Sequence, residues 1–177
     1  MGAHPYWYYT IYQADLTVAL QTLREQEFQA GRYNPVVSFD FPITEQTPSP
    51  GAQHPSIEAA LEAADEEGTR SILDIFRISD TPYPLSGDEL DLEMLAEENI
   101  DALYNAAFPL SSAEMLILFG TEQPTHAMIE SVIVDDSIDS EISEDFWDSI
   151  DRGSARYIVV YEASQPVEIF FVGYSFD

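Results

Sequence analysis

Arg156-Tyr-Ile-Val-Val-Tyr161 and Val167-Glu-Ile-Phe-Phe-Val172 are the two runs that decide the fold. β-branched and aromatic residues dominate both, and such side chains pack well on a pleated surface. Residues Glu162 to Pro166 lie between them, so the pair reads as a β-hairpin with a loop of four or five residues. Tyr6 to Tyr12, YWYYTIY, has the same character and supplies a strand near the other end of the chain. Its aromatic cluster reads first as a sheet face under a helix, and second as a platform for stacking a ligand.

Helical signals fill the space between. Asp15 stands as an N-cap before Leu16, Leu20, Leu23 and Phe28, and Gly31 ends that helix with Pro35 just beyond. Residues 36–41, VVSFDF, read as a strand, and the four prolines at 42, 48, 50 and 55 mark a surface loop. Pro55 and Ser56 open a second helix, with Ile57, Leu61 and Ala64 on one face and Gly68 at its end. Thr69 to Ile78 reads as a strand. Ser86 with Glu89 has capping-box spacing before Leu90, Met94 and Leu95, and this helix continues or restarts through Ile100, Leu103 and Tyr104. A second capping box, Ser111 with Glu114, opens a short helix to Phe119, stopped by Gly120. Pro124 to Val132 reads as another short helix. Glu141 to Arg152 is a helix with Ile142, Phe146 and Ile150 on one side, ended by Gly153. Strands at both ends and helices between them give an α+β class: an antiparallel sheet of the N-terminal strand, a middle strand and the C-terminal hairpin, covered by helices. The 177 residues suit one domain, in which about 81–123 reads as a divergent helical insert.

Charge sets the functional expectations. There are 33 acidic residues against six arginines and no lysine, a formal net charge of −27. A 12% aromatic content argues against a disordered acidic chain. Nucleic-acid phosphates and anionic lipid would repel such a surface, so neither direct nucleic-acid binding nor membrane binding is expected. A basic protein would be attracted, and weak divalent-cation binding is conceivable. Cysteine is absent, which removes disulfides and thiolate chemistry. The first residues lack the basic start and apolar run of a signal peptide, and no apolar run nears the ~18 residues of a transmembrane helix. The expected location is the cytoplasm.

The acidity is patchy. Residues 58–101 hold fourteen acids and two arginines, a net of −12, and residues 135–151 hold eight acids and no arginine, a net of −8. The first 57 residues contribute only −3. Charge runs are usually solvated helix faces. They can also steer a basic partner and reject acidic competitors. On that second reading the docking residues are Glu62, Asp65, Glu66 and Glu67, then Asp88, Glu89, Asp91, Glu93, Glu97, Glu98 and Asp101, then Asp135, Asp136, Asp139, Glu141, Glu144, Asp145 and Asp148. Trp147, Tyr83 and Tyr104 are aromatic anchor candidates among them, and Trp147 fits a core position as well. The arginines have a simpler account: Arg24, Arg32 and Arg152 sit near last helical turns, where cations complement the dipole, and Arg70 and Arg156 flank strands.

Catalytic patterns are sparse. His4, His54 and His126 are isolated, which suits loop or surface histidines, and no H-E-x-x-H occurs. The acids of 135–145 do not give an EF-hand its Gly at position six and Glu at position twelve. Gly153-Ser154 lacks the nucleophile-elbow pattern, and neither a P-loop nor a G-x-G-x-x-G is present. No catalytic residue, metal ligand or cofactor is assigned. A carboxylate pair could still serve a hydrolase, and plain adaptation to salt would also account for the charge. The leading expectation is a non-catalytic binding protein: an inhibitor, an immunity or antitoxin-like protein, or a mimic of nucleic-acid charge.

Three segments, Glu27-Phe-Gln-Ala-Gly-Arg-Tyr-Asn-Pro35, Gly68-Thr-Arg-Ser-Ile-Leu-Asp-Ile75 and Phe171-Val-Gly-Tyr-Ser-Phe-Asp177, resemble a group of small, acidic, uncharacterised bacterial proteins. The resemblance covers both ends and the second helix–strand unit, and it implies no activity, cofactor or site residue. Physics gives the segments a role of their own. Gly31 stops a helix, Tyr33 and Pro35 lock the next turn, and Gly173 marks a bulge or a close backbone approach.

Overall fold

The computed structural model describes residues 4–33, 54–83, 103–135 and 141–175. The strand expected at 36–41, most of the proline loop, and the start of the helix expected behind Ser86 and Glu89 lie outside the described residues; its expected continuation at Leu103 and Tyr104 is instead a turn that leads into a strand at Ala106.

The two C-terminal runs form the expected hairpin, β4 (Ala155–Glu162) and β5 (Gln165–Tyr174). Its connection is tighter than expected. Only Ala163 and Ser164 turn the chain, both at positive φ (47° and 63°). A two-residue hairpin turn of the primed type needs that geometry, because it matches the twist of the strands. β1 (Pro5–Ile11) pairs antiparallel with β5 along its whole length, from Pro5 opposite Tyr174 to Ile11 opposite Glu168. On the far side of β4 come β3 (Ala106–Pro109) and β2 (Arg77–Ile78). The order is β1-β5-β4-β3-β2. The α+β class holds, but the two short pairings, β3 with β4 and β2 with β3, are parallel.

The strand expected over Thr69–Ile78 shrinks to its last two residues. Short polar side chains claim the backbone before it. The Ser71 hydroxyl accepts from the Leu73 N–H at 3.2 Å and caps a single 3₁₀ turn, Ile72–Asp74. Asp74 Oδ1 accepts from the Thr69 N–H and from the Thr69 hydroxyl, each at 2.6 Å. Local bonds of this type compete with a sheet ladder, and here they displace it.

Helices cover both faces of the sheet. α1 (Leu16–Ala30) starts at Asp15, whose carboxylate accepts from the Thr17 and Val18 N–H groups, and ends at Gly31 in the left-handed region. α2 (Ile57–Glu67) starts at Ser56 and stops at Gly68. Their buried Leu20, Leu23, Phe28 and Ala60 pack with Tyr6, Tyr8, Tyr157, Ile169 and Phe171 of the sheet. α3 (Ser112–Phe119) has the expected Ser111–Glu114 capping box and ends at Gly120. α4 (His126–Ile129) runs into a π-helical turn, Glu130–Val134. α5 (Glu141–Asp148) is shorter than expected, stopping before Arg152. This second group buries Met115, Ile129, Ile133 and Phe146 against Ile158, Val160, Phe170 and Val172. No helix among the described residues is long and apolar enough to cross a membrane.

Arg156 departs furthest from expectation. It does not flank a strand but sits inside β4, 1% exposed. One Nη donates to the Ser149 carbonyl at 2.7 Å, just past the end of α5, and the guanidinium lies 4.1 Å over the Tyr83 ring. Burial pulls its pKa down, and the carboxylates of Glu114 and Asp151 pull it up. The cation thus ties α5 and the segment at Tyr83 to the sheet.

Gly173 is the close approach anticipated from sequence. A Cβ there would stand 2.6 Å from the Ser154 carbonyl oxygen and 2.8 Å from the Tyr6 hydroxyl. Gly173→Ala is therefore expected to lower stability by about 1–3 kcal/mol, read as a lower urea midpoint with an unchanged m-value; an unchanged midpoint contradicts the packing described. The turn predicts the opposite sign. Replacing Ala163-Ser164 by Asn-Gly relieves two left-handed residues and is expected to raise stability by about 1 kcal/mol in the same assay. Arg156→Ala removes a charged hydrogen bond and a cation–π contact, with an expected loss of about 3 kcal/mol. Arg156→Lys is expected to recover less than half of it, because an ammonium cannot stack as a plane.

Candidate functional site: an acid-rimmed apolar groove

The sequence of α3, Ser-Ala-Glu-Met-Leu-Ile-Leu-Phe, is apolar almost all round. A helix lying on a sheet buries only one stripe, so part of that content must face outward. Met115 faces the core, while Leu116 and Ile117 are 53% and 69% exposed. α5 shows the complementary pattern. Phe146 is buried, and Ile142, one turn earlier on the same side, is 45% exposed. Between the two helices lies an apolar groove of about 240 Å³ over Ile117, Leu118, Ile142 and Phe146, edged by Glu114, Asp145 and Ser149.

The polar edge is partly committed. Glu114 accepts from the Ser111 N–H and hydroxyl, both at 2.7 Å, and Ser149 donates to the Phe146 carbonyl at 2.6 Å. Asp145 is exposed, as are Glu141, Glu144 and Asp148 on the same helix. Four carboxylates on eight residues, with no basic residue in the helix, leave its outer face negative beside an apolar floor.

The remaining residues singled out by charge are scattered. Glu62, Asp65 and Glu66 are exposed on α2, across the sheet from the groove, and Glu67 is the last residue of that helix. Asp135 is exposed just beyond the π turn. Asp88, Glu89, Asp91, Glu93, Glu97, Glu98, Asp101, Asp136 and Asp139 lie outside the described residues. The structure thus joins the 141–148 acids to an apolar surface and separates them from those of α2. Trp147 is turned inward. Its indole N–H donates to the Ile133 carbonyl at 3.1 Å, and its ring meets Trp7, Phe146 and Tyr174 edge-on. Tyr83 is held by Asp151, to which its hydroxyl donates, and by Arg156; burial, then that carboxylate, pushes its pKa up. Tyr104 is exposed.

Leu116 and Ile117 were not singled out by sequence, and Ile142 only as part of the apolar side of its helix. Their helices were legible, but which face of α3 meets the sheet depends on packing between distant segments. The histidines are less isolated than their spacing implies. His54 bonds to the Tyr33 hydroxyl, and His126 stands between Glu168 and Glu130. Among the described residues no group of three or more His, Asp or Glu is placed to hold a metal ion. No protein-family model, curated protein or solved structure matches the chain.

Since α5 carries no stabilising base of its own, its carboxylates repel one another. Glu144→Gln with Asp148→Asn is expected to raise stability by a few tenths of a kcal/mol at low salt. The gain should vanish near 1 M salt; a gain independent of salt contradicts an open, solvated acidic face.

Proposed function

We propose that this chain is a non-catalytic binding protein that docks a basic partner on the face formed by α3 and α5. The observation that carries the proposal is a groove floored by exposed Ile117 and Ile142 and edged by Asp145, on a helix that also exposes the carboxylates of Glu141, Glu144 and Asp148. Scattered surface apolar residues need no explanation, but a contiguous apolar floor with a one-signed charged rim has the anatomy of an interface. The floor supplies desolvated contact area, where binding energy concentrates. The rim supplies long-range attraction, which raises the association rate and disfavours acidic competitors. An inhibitor, an immunity or antitoxin-like protein and a mimic of nucleic-acid charge all work through such a surface.

The two contributions separate experimentally. A basic partner captured from the native host should bind the full chain with an on-rate that falls steeply between 50 and 500 mM salt. Ile117→Ser with Ile142→Ser should raise its Kd about tenfold or more through faster dissociation, with an unchanged circular dichroism spectrum. Binding that ignores both salt and the isoleucine pair would refute this reading.

A further inference from the structure

β1 lies at the outer edge of the sheet, and the register shows which of its backbone groups are open. Tyr12 donates to the Val167 carbonyl and Ser175 donates to the His4 carbonyl. These residues are partners in one register with β1 and β5, so the even-numbered residues of β1 turn their N–H and C=O groups toward β5. The odd-numbered Trp7, Tyr9 and Ile11 turn theirs outward, where no backbone partner is found among the described residues. Natural sheets blunt such an edge with charge, proline, bulges or a cover. Among the described residues only Pro5, at one end of the strand, does so. The rest, Tyr-Trp-Tyr-Tyr-Thr-Ile, is uncharged, and Ile11 is 77% exposed.

The edge forms the floor of a cleft of about 520 Å³. All five residues from 7 to 11 line it, although their side chains alternate between faces, so the cleft follows the strand's edge. Gln26 of α1 stands on one side; His126, Glu130 and Val134 stand on the other, with Glu168 beyond. The second wall is ordered. Tyr9 and His126 stack with centroids 4.1 Å apart, the Tyr9 hydroxyl donates to Glu130 at 2.8 Å, and His126 Nδ1 lies 2.8 Å from Glu168. Burial, then the Glu130 bond, pushes the Tyr9 hydroxyl pKa well up, which keeps it a donor.

We infer that this cleft takes an extended segment of a basic partner as a sixth strand, hydrogen-bonded to Trp7, Tyr9 and Ile11, with a lysine or arginine side chain held by Glu130 and Glu168. Backbone pairing supplies affinity in this mode, and side-chain pockets supply specificity. Trp7 to Ile11 spans roughly 14 Å, enough for a segment of about five residues. The carboxylate wall selects the charge, and the Tyr9–His126 stack offers a ring face for a cation. A second copy of the chain does not fit. Isologous pairing of two β1 edges would bring both carboxylate walls together between chains of charge −27 each. The cleft shares no lining residue with the α3–α5 groove, so either site can fail without the other.

The test is amide hydrogen exchange and chemical-shift mapping on the full chain, titrated with an acetylated, amidated six-residue peptide of alternating valine and lysine. The expected result is slowed exchange at Trp7, Tyr9 and Ile11. Tyr8 and Thr10, already bonded to β5, should change little. The matching valine–glutamate peptide should bind at least about tenfold more weakly, as should the valine–lysine peptide N-methylated along its bonding edge. Ile11→Pro, which removes an outward N–H, is expected to lower affinity about tenfold, and Glu130→Gln with Glu168→Gln by a similar factor, each with an unchanged thermal midpoint. Shifts confined to α3 and α5, equal binding of the glutamate peptide, or concentration-dependent protection of Trp7, Tyr9 and Ile11 without peptide would each overturn the inference. The last would identify a second copy as the occupant.

Discussion

β5 is hydrogen-bonded on both sides and buried on both faces from Ile169 to Gly173. A strand in that position needs an apolar layer above and below it, and much of the remaining architecture follows from this need. α1, α2 and the 3₁₀ turn cover Ile169 and Phe171, while α3, α4, the π turn and α5 cover Phe170 and Val172. Gly173 then brings β5, the Ser154 backbone and the Tyr6 hydroxyl closer than any side chain allows. A chain repelled by its own charge needs such a dense centre, because the surface works against compaction.

At least four of the six arginines make contacts within the fold. Arg24 donates to the Ile75 carbonyl and lies over Phe76, Arg32 pairs with the buried Glu27, Arg77 donates to the Tyr104 carbonyl, and Arg156 donates to that of Ser149. Each joins segments that are apart in sequence or closes a helix end. Six arginines cannot balance 33 acids, and α5 holds four exposed carboxylates with no base, so the exposed acids of α2 and α5 keep a net negative field. The arrangement supports a docking role, since a field left unneutralised acts at long range on a basic partner.

Local rules made much of the fold legible. Asp15, Ser56 and the Ser111–Glu114 box mark helix starts by side-chain chemistry that operates within four residues, and Gly31, Gly68 and Gly120 mark ends by backbone freedom. The hairpin strands were legible for the same reason. Features set by distant partners were not. Ala106–Pro109 is a strand because β4 lies beside it, and its four residues carry no periodic signal of their own. Thr69–Ile78 has the apolar content of a strand, but the bonds of Ser71 and Asp74 bend it first. Arg156 reads as a flanking charge until the Tyr83 ring and the Ser149 carbonyl are brought to it. The candidate site divides likewise: charge marked the acids of α5, whereas the apolar floor beside them arises only when α3 and α5 pack.

The absence of lysine from this chain makes one measurement unusually direct. Zero-length coupling of its carboxylates to amines can join them, apart from its own α-amine, only to lysines or the α-amine of something bound to it. Mass spectrometry of such couplings, made in a complex with a basic partner, reads out which acids face that partner. The account predicts links concentrated at Glu141, Glu144, Asp145 and Asp148. Links spread evenly over these residues and over Glu62, Asp65 and Glu66 of α2 would contradict it, and would mark the acidity as a general property of the surface.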